Sequence, residues 1–431
     1  MQQPDYIPYT RNKRKGFLFI SAVIIALVIL GLFIYQIPRV NRAVNYRLDF
    51  ALTYVRKIIN PVSNLPTPAV KNEAEMPDPA VTTESSATLT PEPTIMPMFT
   101  PTATLVPTPI PAQLQLAPPA YDEIKDKQDL NNCGPATLAL YLRYYGWAGN
   151  QYDISKVIKP TQDDRNVNVE ELVYFVRNKT GWLNSEFRVG GDLDTLKRLI
   201  AAGIPVMIEE TFTTDRVGWP GDDMWAGHYL LVTGYDDLVQ EFTVHDSEVG
   251  PNQKMAYAVL DENWESFNRV YIMVYTSETE EDIKRALGED WDVEVNRQNA
   301  LEAAEKAALS EPKNPFTWFN VGTNLVYFEK YNEAAAAYDT ARNLVLPQRM
   351  LRYQFGPFFA YFHSLQTDEL MALTKHALEI TRTSEEAMLW RGYAEYRNGN
   401  SAQALSYFRD ALRIRPGYVD AITAIDLINA N

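Results

Sequence analysis

Gln128-Asp129-Leu130-Asn131-Asn132-Cys133-Gly134-Pro135-Ala136 is the stretch on which the reading of this chain turns. Cys133 is the only cysteine in 431 residues. It can therefore make no intramolecular disulfide and no multi-thiolate zinc site, which leaves a bystander thiol or a nucleophile. Asn132 can cap a helix, Gly134 permits close backbone approach, and Pro135 suits a first helical turn, where no amide donor is needed. Leu138, Tyr141, Leu142 and Tyr145 then recur at helical spacing until Gly146 stops the run. Cys133 thus falls at a helix N-terminus, where the dipole favours a thiolate. The plainer reading is a buried cysteine acting as a small hydrophobe.

A nucleophilic thiol needs a base, and the chain has 4 histidines. His363 and His376 lie in a helical C-terminal region, which leaves His228 and His245. His228 opens a run rich in β-formers, Gly227-His228-Tyr229-Leu230-Leu231-Val232-Thr233-Gly234-Tyr235. Asp236 and Asp237 supply turn chemistry, and Glu241 to Asp246 reads as a second strand. A hairpin centred near Asp237 puts His228 directly opposite Asp246, where the carboxylate can orient the ring. His245 points to the other face, because strand side chains alternate.

Gln-x4-Cys-Gly-Pro, then Gly-His-Tyr-x3-Thr-Gly-Tyr-Asp, then a strand ending in Asp, resembles the papain-like peptidases that include the double-glycine leader peptidases. It is similar above all to their large C-39-like group. The resemblance covers residues 117–276 and implies a papain-like α+β catalytic domain. It also implies that Cys133 is the nucleophile, His228 the general base, Asp246 the orienting residue and Gln128 a side-chain donor to the oxyanion. No Gly-x4-Gly-Lys-[Ser/Thr] phosphate loop occurs, so cleavage of a bacteriocin precursor after a double glycine is not implied. Neither metal nor cofactor is expected: Asp163-Asp164 and Asp222-Asp223 lack the ligand ladder and glycine of a calcium loop. The stretch from Trp219 to Trp225 can either wall a substrate cleft or form a surface loop.

The rest of the chain divides by composition. Its formal charge of −15 argues against nucleic-acid partners, which call for a basic surface. Gly16 to Ile37 carries no charge over 22 residues, enough to span a hydrocarbon core, and follows Arg11, Lys13, Arg14 and Lys15. It reads as a transmembrane signal anchor with residues 1–15 in the cytoplasm. Residues 38–60 read as a basic amphipathic juxtamembrane segment with Tyr46, Leu48, Phe50 and Val55 beside Arg47, Arg56 and Lys57. Residues 61–116 hold nearly half of the 27 prolines, with many threonines, and read as an extended disordered spacer. Residues 281–431 are helical and repetitive. Trp318, Gly322, Ala334, Tyr338, Ala341 and Pro347 recur as Trp390, Gly392, Ala404, Phe408, Ala411 and Pro416, resembling tetratricopeptide repeats. A degenerate copy is expected from Phe355-Gly356 to Leu378, and a half-repeat at Ala300, Ala304, Ala307 and Pro312.

The chain therefore reads as a membrane-anchored extracytoplasmic cysteine peptidase that cleaves peptide or amide bonds, with a repeat domain suited to a protein partner. The alternatives are a thiol-dependent amidase or transpeptidase on the same residues, and an inert papain-like scaffold whose repeats bind a partner.

Overall fold

The computed structural model describes residues 13–69 and 110–430, apart from 118, 124, 160 and 162–165. Asp163-Asp164, the N-terminal flank to Asn12 and most of the Pro/Thr-rich stretch thus lie outside the described residues. The chain divides into two compact units, Met1–Val62 with Arg216–Asp222, and Ser63–Asp215 with Asp223–Asn431.

The first unit contains helices α1 (Lys13–Tyr35) and α2 (Pro38–Ile59). Pro38 starts α2 with its fixed φ, and Arg56 and Lys57 sit in the last turn, where they complement the helix dipole. The span expected over 16–37 is not borne out: among the described residues, no helix is long and apolar enough to cross a membrane. The side chains of α1 are described only from Phe19 onward, so the start of that stretch lies outside them.

The second unit opens with an antiparallel sheet. Its strands are β1 (Gln113–Gln115), β2 (Asn184–Arg188), β3 (Val206–Thr213), β4 (Trp225–Asp236), β5 (Glu241–Asp246), β6 (Gly250–Ala256) and β7 (Tyr271–Tyr275). The order is β2-β7-β3-β4-β5-β6, with β1 paired to β4. Six helices accompany it: α3 (Cys133–Tyr144), α4 (Gln151–Ile158), α5 (Val169–Lys179), α6 (Leu193–Ala201), α7 (Tyr257–Glu265) and α8 (Glu280–Leu287). The two-residue period of the strands sorts the core into two layers. Met207, Leu231, Ile272 and Val274 join one apolar cluster with Leu138 and Leu142 of α3 and Leu172 of α5. Ile208, Leu230, Val232 and Met273 face a second, with Leu196 of α6, Leu260 of α7 and Ile283 of α8. This is the papain-like α+β arrangement expected. β1 begins before residue 117, and α8 packs with the sheet's helices rather than with the repeats.

The helical region comprises α9 (Val293–Ser310), α10 (Pro315–Tyr327), α11 (Tyr331–Asn343), α12 (Met350–Tyr353), α13 (Gly356–His363), α14 (Thr367–Ile380), α15 (Glu385–Arg397), α16 (Ser401–Ile414) and α17 (Val419–Ala430). The pairs α10–α11, α13–α14 and α15–α16 are the helical hairpins foreseen, with α12 inserted between the first two. A side chain at Gly322 would meet the Tyr338 ring at 2.7 Å, and one at Gly392 the Phe408 ring at 2.4 Å. The same small-against-aromatic contact thus recurs in two hairpins, which is why only glycine fits there.

The repeats pack on the sheet domain. Phe319, Tyr338 and Leu373 belong to the same apolar cluster as Leu138 and Leu231. Asn268 and Asn324 exchange amide hydrogen bonds at 2.9 and 3.2 Å, both buried, and Asn320 donates to the Glu265 carbonyl at 2.9 Å. Arg415 pairs with Glu171 of α5 at 2.6 Å.

The spacer expected over 61–116 is anchored at both ends. Leu65 is buried and Pro66 accepts hydrogen bonds from Arg342. At the other end, Pro111 accepts from Tyr235 and β1 pairs with β4. Composition alone hides this, because one leucine among prolines does not register as a core residue.

Asn324→Leu removes the partners of the buried Asn268 amide and should destabilise the chain by about 1–3 kcal/mol. Chemical denaturation followed by both tryptophan fluorescence and helical circular dichroism should show one shifted transition. Two separated transitions would show that sheet and repeats unfold independently.

Candidate active site

The loop before α3 is knitted by one buried side chain. Gln151 accepts from the Asp129 amide at 2.8 Å and from Asn132 Nδ2 at 2.7 Å, and donates to the Lys125 and Lys127 carbonyls. Asn132 occupies the N-cap position but spends its side chain on Gln151 rather than on the helix amides. Cys133 is the first residue of α3 and half-buried. Gly134 lies against the Tyr229 ring, 3.3 Å from where a Cβ would stand, so α3 can approach β4 closely. Thr137 seals that contact by donating to the Tyr229 carbonyl at 3.1 Å.

His228 is buried in β4, and its Nε2 lies 2.8 Å from Asp246 Oδ1. The Cys133 thiol lies close enough to the ring for each group to shift the other's ionisation. The structure thus brings Cys133, His228 and Asp246 to one place. The register behind it differs from the one read in the sequence. Asp246 pairs with Leu230, and His228 with Glu210 on β3. The turn is longer than expected, with Asp236 opposite Glu241, and the ladder shifts between Val232 and Gly234. That bulge, at Thr233, decides the geometry. Continued without it, the pairing of Asp236 with Glu241 would set Asp246 opposite Leu231 and turn it to the face away from His228. With it, Asp246 is a diagonal neighbour of His228 on the same face.

The electrostatics favour an ion pair. Burial pushes the Cys133 thiol up, but the hydrogen bond and charge of His228, the Lys159 ammonium and the Tyr229 amide more than offset it, leaving the thiol below its usual value. Burial pulls His228 down, yet its hydrogen bonds to Asp246 and Cys133 raise it to about 10. Burial likewise opposes ionisation of Asp246, but His228 and the amides of Glu248 and Val249 hold it below the normal carboxylate range. Thiolate and imidazolium can thus coexist at neutral pH.

Gln128 accepts from the Ser247 hydroxyl through Oε1 at 2.8 Å, and its backbone amide donates to the Ser247 carbonyl. The residue after Asp246 therefore fixes the Gln128 amide and leaves its Nε2 hydrogens as the donor end. His245 is buried and pushed down to about 4 by burial. Neither of its ring nitrogens has a hydrogen-bond partner among the described residues, and it pairs with Leu231 away from His228. Asp223 accepts from the Gln348 amide at 2.7 Å, so the end of the Trp219–Trp225 stretch is fastened to the repeats. No group of acidic, histidine or cysteine side chains that could hold a metal occurs among the described residues.

Sequence reasoning missed several neighbours. Glu210 sits across from His228, buried, with its carboxyl raised to about 7 chiefly by burial. Glu209 is also buried and raised well above the usual range, chiefly by desolvation, so a neutral carboxyl rather than a second anion lies near the thiol. Phe212 packs its ring 4.8 Å from that of His228. The signal was present in Val206-Met207-Ile208-Glu209-Glu210: two adjacent acids in an apolar strand, whose opposite faces are both buried.

Residues 108–276 match the sequence model of the Peptidase_C39 like family. This part of the chain is similar to that family. No curated protein sequence matches the chain. Among solved structures, the chain is similar to xylellain, a cysteine protease from Xylella fastidiosa, at 13% identity and a TM-score of 0.30, covering 39% of this chain and 87% of that one. It is also similar to MamA at 18% identity and a TM-score of 0.29, covering 35% of this chain and 82% of that one.

Alkylation of Cys133 by iodoacetamide should stay fast at pH values below the ordinary thiol range, near about 8.5. His228→Ala removes the main stabiliser of the thiolate while burial remains, so its alkylation curve should move to higher pH. An unchanged curve would show that the imidazole does not hold the thiolate.

Proposed function

We propose that the chain is a cysteine peptidase acting through Cys133, His228, Asp246 and Gln128. The observation that carries this reading is the convergence of a thiol at a helix N-terminus, His228 beside it, and a buried carboxylate hydrogen-bonded to that imidazole. Cys133 Sγ attacks the substrate carbonyl carbon, and the carbonyl π electrons move onto oxygen. The Cys133 backbone N–H and the Gln128 amide donate to that oxyanion, whose stabilisation is worth about 3–4 kcal/mol per donor. Collapse of the tetrahedral intermediate breaks the C–N bond as His228 gives its proton to the leaving amine. His228, neutral after that transfer, takes a proton from water. The resulting hydroxide equivalent attacks the thioester, releases the acid and returns the thiolate. Asp246, bonded to Nε2, keeps the ring oriented with its Nδ1 side toward the thiol throughout.

The substrate class implied is a peptide or protein. Attachment to a membrane through 16–37, with both domains outside the cytoplasm, belongs to the same proposal. It rests on the uncharged stretch and its basic N-terminal flank.

Cys133→Ser and His228→Ala should each abolish labelling by an active-site thiol probe and peptide turnover, with melting nearly unchanged. Asp246→Asn should cost about 10²–10⁴-fold in kcat, and Gln128→Ala about 10²–10³-fold. His245→Ala should stay active. Loss of turnover in the His245 variant alone would place the base elsewhere.

Alkaline carbonate should leave the full chain in the membrane pellet, and removal of residues 1–37 should move it to the supernatant. Extraction of the intact chain by carbonate would refute the anchor.

A further inference from the structure

The Pro/Thr-rich stretch begins where a spacer should be loose, yet Ser63 to Ala69 is held by the helical repeats. Arg342 of α11 is the centre of the contact, its side chain almost wholly buried. Its Nε and Nη2 both donate to the Pro66 carbonyl, at 2.9 and 2.6 Å. Nη2 also pairs with Glu369 Oε2 of α14 at 2.8 Å, and Nη1 donates to Tyr361 Oη of α13 at 2.8 Å. Tyr361 in turn donates to Asp339 at 2.6 Å. The second carboxylate oxygen of Glu369 accepts the Ala69 amide at 2.7 Å. One buried ion pair thus reads a carbonyl and an amide three residues apart, a backbone spacing that an extended chain presents.

The segment has the matching chemistry. Leu65 is 5% exposed and belongs to the same apolar cluster as Ala334, Tyr338 and Leu370. Pro66 and Pro68 carry no amide hydrogen, so they bring no donor that would need a partner in the groove. Their fixed φ also keeps the segment extended before it docks, which lowers the entropy lost on binding. Without the segment, the Nε of a buried arginine loses its acceptor.

We propose that α11, α13 and α14 form a recognition site for extended peptides of the form Leu-Pro-x-Pro-small, and that the chain's own Leu65–Ala69 occupies it. The site is distinct from Cys133, and the proposal stands whether or not Cys133 is a nucleophile. Occupation in cis holds residues 65–69 on the same compact unit as β1. It also means that a peptide arriving in trans must displace a tethered competitor, whose effective concentration is in the millimolar range.

The test uses the full chain and a fluorescein-labelled peptide of sequence Ser-Asn-Leu-Pro-Thr-Pro-Ala. Leu65→Asp should empty the site, so this variant should bind the peptide at least about tenfold more tightly than the unmodified chain. Adding Glu369→Gln should reverse that gain, and a peptide with Asp in place of Leu should fail to bind. Equal binding by the unmodified and Leu65→Asp chains would overturn the proposal. Hydrogen exchange on the unmodified chain supplies a readout that needs no variant to fold. The Ala69 amide should exchange at least about a hundredfold more slowly than its intrinsic rate. Exchange of Ala69 at the intrinsic rate would also overturn it.

Discussion

The bulge at Thr233 governs the candidate active site, because it decides which residues of β5 share a face with His228. Its backbone is satisfied from β1. Leu116 donates to the Thr233 carbonyl at 2.8 Å, and Gln115 Nε2 reaches the same carbonyl and the Thr233 hydroxyl at 3.3 and 3.2 Å. Gly234 must be glycine here, since a Cβ would come within 2.3 Å of Gln115 Oε1 and 2.8 Å of the Leu114 carbonyl. A strand of three residues at the end of a proline-rich stretch therefore pins the register on which the His228–Asp246 contact depends.

Around that contact, charge is arranged to be unequal. Cys133, His228 and Asp246 are kept ionised by one another and by Lys159, while the adjoining carboxyls of Glu209 and Glu210 are driven toward the neutral form by burial. If all of these carboxyls ionised together, their repulsion would raise the thiol and weaken the pair. Desolvation outweighs the opposing charge of His228 at Glu210 and the Tyr229 hydrogen bond at Glu209, whereas the mutual bonds of Asp246, His228 and Cys133 outweigh it. His245, one residue from Asp246 but on the opposite face, is held neutral by burial.

The repeats take part in this unit instead of standing apart from it. Arg349 donates to the carbonyl of Trp225, at the start of β4, and Trp225 stacks on Phe267 at 5.6 Å with Tyr353 of α12 against both rings. Glu171 of α5 meets Arg415 from the last hairpin. The strand that carries His228 is thereby braced from the helical layer, and the same layer holds residues 65–69. Sheet domain, helical hairpins and the first part of the proline-rich stretch share one packing solution.

The sequence by itself determined the local features: a thiol at the start of a helix, an apolar run ending at Gly146, a hairpin carrying His228 and Asp246, and helical hairpins with recurring small and aromatic positions. Each depends on residues close in the chain, where period, capping and turn chemistry act directly. It also singled out His228 over His245 as the candidate base, because alternation along a strand separates His245 from Asp246. The register, however, was decided by the tertiary structure. The bulge is stabilised by β1, more than a hundred residues earlier, and no local pattern announces that partner. Glu209 and Glu210, Lys159 and the docking of Leu65 onto Arg342 were hidden for the same reason. Burial of a charged or isolated apolar side chain is a property of the surface that closes over it, and that surface comes from distant parts of the chain.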